Sequence, residues 1–135
     1  MPVVGLDVHK RVVQAVVLSD DDGHVIHRER FPCDRKELLR FAKQRLGPKA
    51  RVALEATTNT WSIVDLIRPL AGEVVVSNPM RTRTIAEAKV KTDKVDAEIL
   101  AQLLAADYLP AVWRPDPATA ALRRQVLRRA HIGPG

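Results

Sequence analysis

The stretch "GLDVHK", residues 5–10, lies within a largely apolar run from Val3 to Leu18 and puts an aspartate near the middle of what reads as a buried strand. A carboxylate in apolar surroundings is costly unless it is paired, protonated or open to water. Asp7 therefore needs a partner, a metal ion or a cleft, and the rest of the chain has to supply it.

Working outward, residues 3–8 and 11–18 are Val-rich runs, and Asp20-Asp21-Asp22-Gly23 is turn chemistry before a further strand-like run at 24–31. Three antiparallel strands are expected to open the chain. Asp34 can cap a helix over about 35–46, where Leu38, Leu39, Phe41, Ala42 and Leu46 recur at helical spacing and Gly47-Pro48 stops it. "RVALEA", 51–56, reads as a buried strand. A helix over about 59–70 carries Trp61, Ile63, Val64, Leu66 and Ile67. "EVVVSNP", 73–79, is the fifth strand, closed by a turn to which Ser77 contributes. The basic, weakly apolar segment 80–92 is expected to be a mobile or ligand-facing loop, followed by a helix over about 93–107 with Val95, Ile99, Leu100, Leu103 and Leu104. The order β-β-β-α-β-α-β-α predicts an α/β, RNase H-like (RuvC-like) fold, a mixed five-stranded sheet flanked by helices.

Residues 1–112 are assigned to this domain and 113–135 to a helical extension. In the extension Asp116 is the expected N-cap, with Pro117 at the first helical position and Gly133 past the end. Its apolar stripe, Ala121, Leu122, Val126 and Ala130, is narrow, while Arg123, Arg124, Arg128 and Arg129 dominate the remainder. Such a helix needs a partner for stability.

At 135 residues the chain fits one domain, and with 46% apolar but only 4% aromatic residues its core must be built from aliphatic side chains. A net charge of +6 and a pI near 10.0 favour a polyanionic partner. A single cysteine, Cys33, forms no internal disulfide, and the absence of paired Cys/His spacing argues against a zinc site. The N-terminus lacks the basic flank and apolar core of a signal peptide, and no apolar run reaches the length of a membrane span. A soluble, cytoplasmic protein is expected.

Three positions offer Asp7 company: Glu55 at the end of the fourth strand, and the pair Asp93 and Asp96, which three-residue spacing puts on one helical face. In the RNase H-like order the first and fourth strands are neighbours, so Asp7 and Glu55 should open onto the same sheet edge, with the Asp93/Asp96 face lying over it. Four clustered carboxylates repel one another unless cations separate them, and all-oxygen ligation suits magnesium or manganese. Paired ions of this kind activate the oxygens of in-line phosphoryl transfer. Arg81, Arg83, Lys89, Lys91 and Lys94 form a basic strip beside this tetrad, suited to a nucleic-acid backbone, and His9 and Lys10 at the strand's end could meet a phosphate. Thr57, Thr58 and Asn59 can cap the helix after Glu55.

The blocks "GLDVHK", "ALEAT" at 53–57 followed by Trp61, "SNP" at 77–79 and "KTDKVDA" at 91–97 together resemble the N-terminal domain of the DEDD transposases of insertion-sequence family 110. The resemblance covers about residues 3–130. It implies a RuvC-like domain whose catalytic, metal-binding tetrad falls on Asp7, Glu55, Asp93 and Asp96. It further implies DNA as substrate, transposition and recombination as the activity, and a structured RNA as guide. In this family a coiled coil and a second domain with a serine nucleophile follow; "LRRQVLRRAHI" resembles the coiled coil's first turns, and the chain stops there. Self-association through the terminal helix, with nucleic-acid contacts from Arg123, Arg124 and Arg128, is expected. Ser19, Ser62 and Ser77 do not match the serine motif.

An actin-like sugar kinase also opens with a strand aspartate, but Val8-His9-Lys10 is too bulky for its phosphate loop and no second lobe fits. A Holliday-junction resolvase of the RuvC class, cutting with metal-activated water, and an inactive nucleic-acid-binding transposase fragment are the other readings. Because the terminal apolar stripe is narrow, removal of residues 115–135 should leave the domain folded, with an unchanged thermal unfolding midpoint; a collapse of that midpoint would place the helix in the core.

Overall fold

Val4 and Leu6 point to one face of a strand and Val3 and Gly5 to the other, and all four are shielded from solvent, so this strand is covered on both sides. It is β1 (Val3–Val8) in the computed structural model, which describes residues 2–19, 23–56, 60–92 and 94–109. Then follow β2 (Val12–Leu18), β3 (Val25–Pro32), α1 (Arg35–Arg45), β4 (Arg51–Glu55) and α2 (Thr60–Ile67), which runs into a 3-10 turn at Arg68–Leu70. β5 (Glu73–Ser77), α3 (Pro79–Lys89) and α4 (Ala97–Ala105) complete the order. The sheet runs β3-β2-β1-β4-β5, with β1 antiparallel to β2, β2 antiparallel to β3, and β4 and β5 parallel to β1. This is the mixed five-stranded, RNase H-like arrangement expected from the element order.

Alternation sorts the strand residues into two cores. Val4, Leu6, Val13, Val17, Val52, Leu54 and Val76 pack with Phe31, Phe41 of α1 and Ile63, Val64 and Ile67 of α2. On the opposite face Val3, Val16, Leu18, Ala53 and Val75 pack with Ala97, Leu100, Ala101 and Leu104 of α4. The first core carries a stacked Phe31–Phe41 pair, with ring centroids 5.2 Å apart. Arg40 lies over the Phe31 ring and bridges Glu29 and Glu37, tying α1 to β3. Burial pushes the Glu29 carboxyl up, but hydrogen bonds from His27 and Arg40 outweigh it and hold the group below its ordinary range.

The helix caps follow the sequence closely. The Asp34 side chain accepts from Glu37 N at 2.8 Å, and that of Asn78 accepts from Met80 N and Arg81 N, with Pro79 at the first position of α3. α3 corrects one expectation: residues 79–89, read as part of a loop, are helical. Only Thr82 and Ala86 are buried along it, so it has no apolar stripe for periodicity to detect. A second correction concerns α4, expected from about residue 93, which starts at Ala97 with Asp96 as an extended N-cap residue outside the helix. Lys91 (φ 61°) lies just past α3, and Asp107 (φ 59°) closes α4, with Tyr108 N donating to Leu103 O at 2.9 Å. Arg51 donates to both Asp107 and Glu73, pinning that end of α4 to the sheet.

Expectations for Asp20–Asp22, Thr57–Asn59, Asp93 and the extension from residue 110 onward, including Arg123, Arg124 and Arg128, lie outside the described residues. Among the described residues no helix is long and apolar enough to cross a membrane. Cys33 is half-buried, and its thiol is pushed up by burial and by the charge of Asp34, away from reactivity.

Gly5 is the point of closest approach between sheet and helix. A Cβ built there would stand 1.9 Å from the Ala97 carbonyl oxygen and 2.9 Å from Ala101 N, both backbone atoms that cannot swing aside. Gly5→Ala should lower the free energy of unfolding by about 1–3 kcal/mol, the usual cost of overpacking, as measured by urea denaturation; a change within error would show that α4 slides without penalty.

Candidate functional site

Strand register assembles a polar row across the whole sheet. Asp7 pairs with Gln14, and Gln14 with Arg30. On the other side Leu6 is level with Leu54, so Asp7 and Glu55 are the next neighbours on parallel strands, and Glu55 pairs with Ser77. The row reads Arg30, Gln14, Asp7, Glu55, Ser77. The alternation that turns Gly5 and Ala53 toward α4 turns these residues to the same face. The adjacent row of Val16, Gly5, Ala53 and Val75 is apolar or small and lies under α4; the polar row lies at the open end, beside the N-terminus of that helix.

Within the row Asp7 and Glu55 feel each other. Burial raises the Glu55 carboxyl above its ordinary value, the charge of Asp7 raises it further, and Arg83 pulls it the other way without prevailing. The Glu55 backbone is fixed on its own account, because its carbonyl accepts from Thr60 Oγ1 at 3.1 Å and the next amide, Ala56 N, donates to Ser77 O at 2.8 Å. Ser77 is fully buried at the end of β5, where Thr82 Oγ1 donates to its hydroxyl at 2.9 Å. It is structural rather than part of a turn. The Asp7 carboxylate is 22% exposed and meets His9 Nε2 at 3.0 Å. His9 N donates to Val12 O, so Lys10 and Arg11 form the exposed tip of the β1–β2 hairpin.

Asp96 approaches from the helix side. Its carboxylate accepts from Ile99 N at 3.0 Å, and it borders Gln14 and Ala15 rather than standing within the Asp7–Glu55 pair. Asp93 lies outside the described residues. Among the described residues no three His, Cys, Asp or Glu side chains form a group able to hold a metal ion. The structure thus brings Asp7 and Glu55 together and sets Asp96 across Gln14 from them.

The basic strip is exposed throughout, at Lys10, Arg81, Arg83, Lys89, Lys91 and Lys94. Arg83 and Lys94 share a shallow depression with Glu87 and Val95. Lys89 is directed elsewhere, its ammonium 5.1 Å from the centroid of the Tyr108 ring. Gln14 and Arg30 went unnoticed in the sequence. Their signal was the register itself, since each sits opposite the residue before it in the row, but register is not legible until the strands are paired.

The model of a transposase family, the DEDD type of insertion-sequence family 110, matches residues 4–132. The chain belongs to that family. A similar relative is y4qE of Sinorhizobium fredii, described provisionally by its name as a transposase and 33% identical over 129 residues; the match covers 93% of this chain and 33% of y4qE. The chain therefore spans about one third of the length of that curated relative. Among solved structures it is similar to Thermus thermophilus RuvC in complex with a Holliday junction substrate, at 13% identity and a TM-score of 0.49, covering 83% of this chain and 100% of that one. A likeness of the same order, 15% identity and a TM-score of 0.47, is found to an Arthrobacter polyphosphate/ATP-glucomannokinase, over 69% of this chain and 50% of the kinase.

The Glu55 shift has a consequence for stability in this transposase-family domain. Between the ordinary carboxylate pKa and the raised one the folded protein holds more proton than the unfolded chain, so stability falls as pH rises through that window. Glu55→Gln should remove the loss: thermal unfolding of the metal-free protein should match wild type below the window and exceed it at neutral pH, by about 0.5–1 kcal/mol, the size of a partly solvated charge interaction. A variant less stable at neutral pH would show that Glu55 is held by attraction.

Proposed function

We propose that this domain is the acidic, metal-dependent part of a DEDD transposase, acting on DNA phosphodiesters in transposition and recombination. The observation that carries the reading is the juxtaposition of Asp7 and Glu55 at the ends of adjacent parallel strands, with Glu55 held above its ordinary range by burial and by its neighbour. Two adjacent carboxylates, Glu55 raised by burial and by the charge of Asp7, opening beside a helix terminus are a donor set that a hard cation relieves. Asp7, Glu55, Asp93 and Asp96 would hold magnesium or manganese. When bound, such an ion supplies electrophilic activation of a phosphodiester and stabilises a leaving oxygen.

The chain's own residues do the rest. His9 steadies the Asp7 carboxylate through their hydrogen bond. Arg83 stands where it can offset charge at Glu55 and meet a phosphate. Lys10, Arg81, Lys91 and Lys94 are free to follow a nucleic-acid backbone, where contacts of this kind give affinity rather than sequence choice. Lys89 can join them by leaving Tyr108. The division of the chain into a catalytic unit over 1–112 and an extension over 113–135 belongs to the same proposal. Arg123, Arg124 and Arg128 of that extension would contact nucleic acid, its apolar stripe would pair copies of the chain, and a structured RNA would guide the complex. The family resemblance also implies a serine nucleophile, whose motif Ser19, Ser62 and Ser77 do not match, so these 135 residues by themselves should bind DNA without exchanging strands.

Calorimetric titration with manganese should show binding that weakens by more than about tenfold in Asp7→Asn, the least effect expected of losing a ligand when lost supporting contacts already cost that much. Unchanged binding would falsify the site. Incubation with duplex and branched DNA plus manganese, beside a variant with Asp93 and Asp96 changed to Ala, separates the functions. Binding without cutting supports an incomplete transposase, whereas efficient cleavage lost in the double variant moves the chain to the resolvase class.

A further inference from the structure

The outer end of the polar row, Gln14 and Arg30, has no role in the function proposed above. These residues stand directly across β2 and β3 from Asp7. With strands about 4.8 Å apart, Arg30 lies two strands, roughly 10 Å, from the aspartate, within reach of a polymer that passes over it. Both line a groove of about 160 Å³ between the β2–β3 hairpin and the start of α4, together with Val16, Arg28, Asp96 and Glu98.

The charges in this groove are not equivalent. Arg28 is paired with Glu98, which also accepts from Gln102, and the Asp96 carboxylate is engaged by Ile99 N. Among the described residues neither the Gln14 nor the Arg30 side chain has a hydrogen bond or ion pair. A guanidinium without an anion and an amide without a partner thus lie in line with the carboxylates, on the β3 side of the row, away from Arg83. A planar guanidinium suits phosphate oxygens, and an amide can donate to phosphate or sugar.

We infer that Gln14 and Arg30 form a track for the sugar-phosphate backbone, carrying a nucleic-acid strand from the Asp7–Glu55 pair across the β2–β3 hairpin to the sheet edge. The inference rests on the phosphodiester reading of the acidic pair. A second duty for Arg30 has to be separated from it, because β3 is an edge strand and exposed charge on such strands also discourages edge-to-edge pairing. Charge of either sign performs that duty, whereas only positive charge attracts phosphate.

The test is fluorescence anisotropy of labelled DNA with the whole 135-residue chain across a salt series. Arg30→Ala should weaken binding about tenfold, as expected for loss of a charge-assisted hydrogen bond, and reduce the slope of log affinity against log salt by about 1. Arg30→Lys should recover most of the affinity, and Arg30→Glu should bind more weakly than Arg30→Ala while remaining monodisperse. Gln14→Ala should lose about threefold, as for a neutral hydrogen bond, with the slope unchanged. Manganese binding should be the same in all four variants. Wild-type affinity and slope in both Arg30→Ala and Arg30→Glu would overturn the track and leave Arg30 as an edge guard, with the acidic site untouched. Failure of the wild-type chain to bind DNA at any salt would instead overturn the nucleic-acid reading and the track with it.

Discussion

The close contact between Gly5 and the first turn of α4 is the constraint on which the rest of the molecule depends. Backbone meets backbone there, and the helix contributes only Ala97 and Ala101 at the contact, both essentially without solvent exposure. Because α4 can descend onto the sheet at this point, its N-cap, one residue before Ala97, is delivered beside the end of β1, two residues beyond Gly5. The glycine and the aspartate of "GLDVHK" therefore act together: one admits the helix, and the other sits where the admitted helix begins. A larger side chain at residue 5 would lift α4 and with it Asp96, opening the polar row toward bulk water.

That row is poorly suited to stability. Two acidic side chains share the end of a parallel strand pair, one of them above its ordinary protonation range despite the nearby charge of Arg83, and such a pair is not what folding alone would select. The apolar rows immediately below, backed by two separate cores, offset the cost. Such division of labour, with strain confined to the last row of a sheet whose other rows are well packed, is common where chemistry must occur next to a rigid scaffold.

Electrostatic asymmetry gives the row a direction. Its acidic centre lies at β1 and β4, while positive charge stands on one side at Arg30 and on the other at Arg83 and the strip along α3. A polyanion laid along the row would meet cations on both sides of the carboxylates, an arrangement consistent with membership of a transposase family and with the net charge of +6. The same helix that supplies Arg83 is anchored by Asn78, Pro79 and the Thr82–Ser77 hydroxyl pair rather than by an apolar stripe.

Much of this was legible in the sequence. Alternating and continuous apolar runs determined the five strands, the helical spacing around Phe41 and Leu100 determined α1 and α4, and the anomaly of Asp7 in a buried strand pointed to Glu55 as its companion. α3 escaped because a helix held by its cap and two small buried residues leaves no periodic trace. The start of α4 was misplaced because an aspartate such as Asp96 suits an N-cap just ahead of a helix as well as it suits the helix's first turn. What only the tertiary structure decided was the adjacency beyond that pair: that Asp96 lies across Gln14, and that Gln14 and Arg30 extend the same row. The physical reason is that side-chain chemistry and periodicity are local properties of the chain, whereas register is set by how strands pair and how closely a helix can pack, here through the missing Cβ of one glycine.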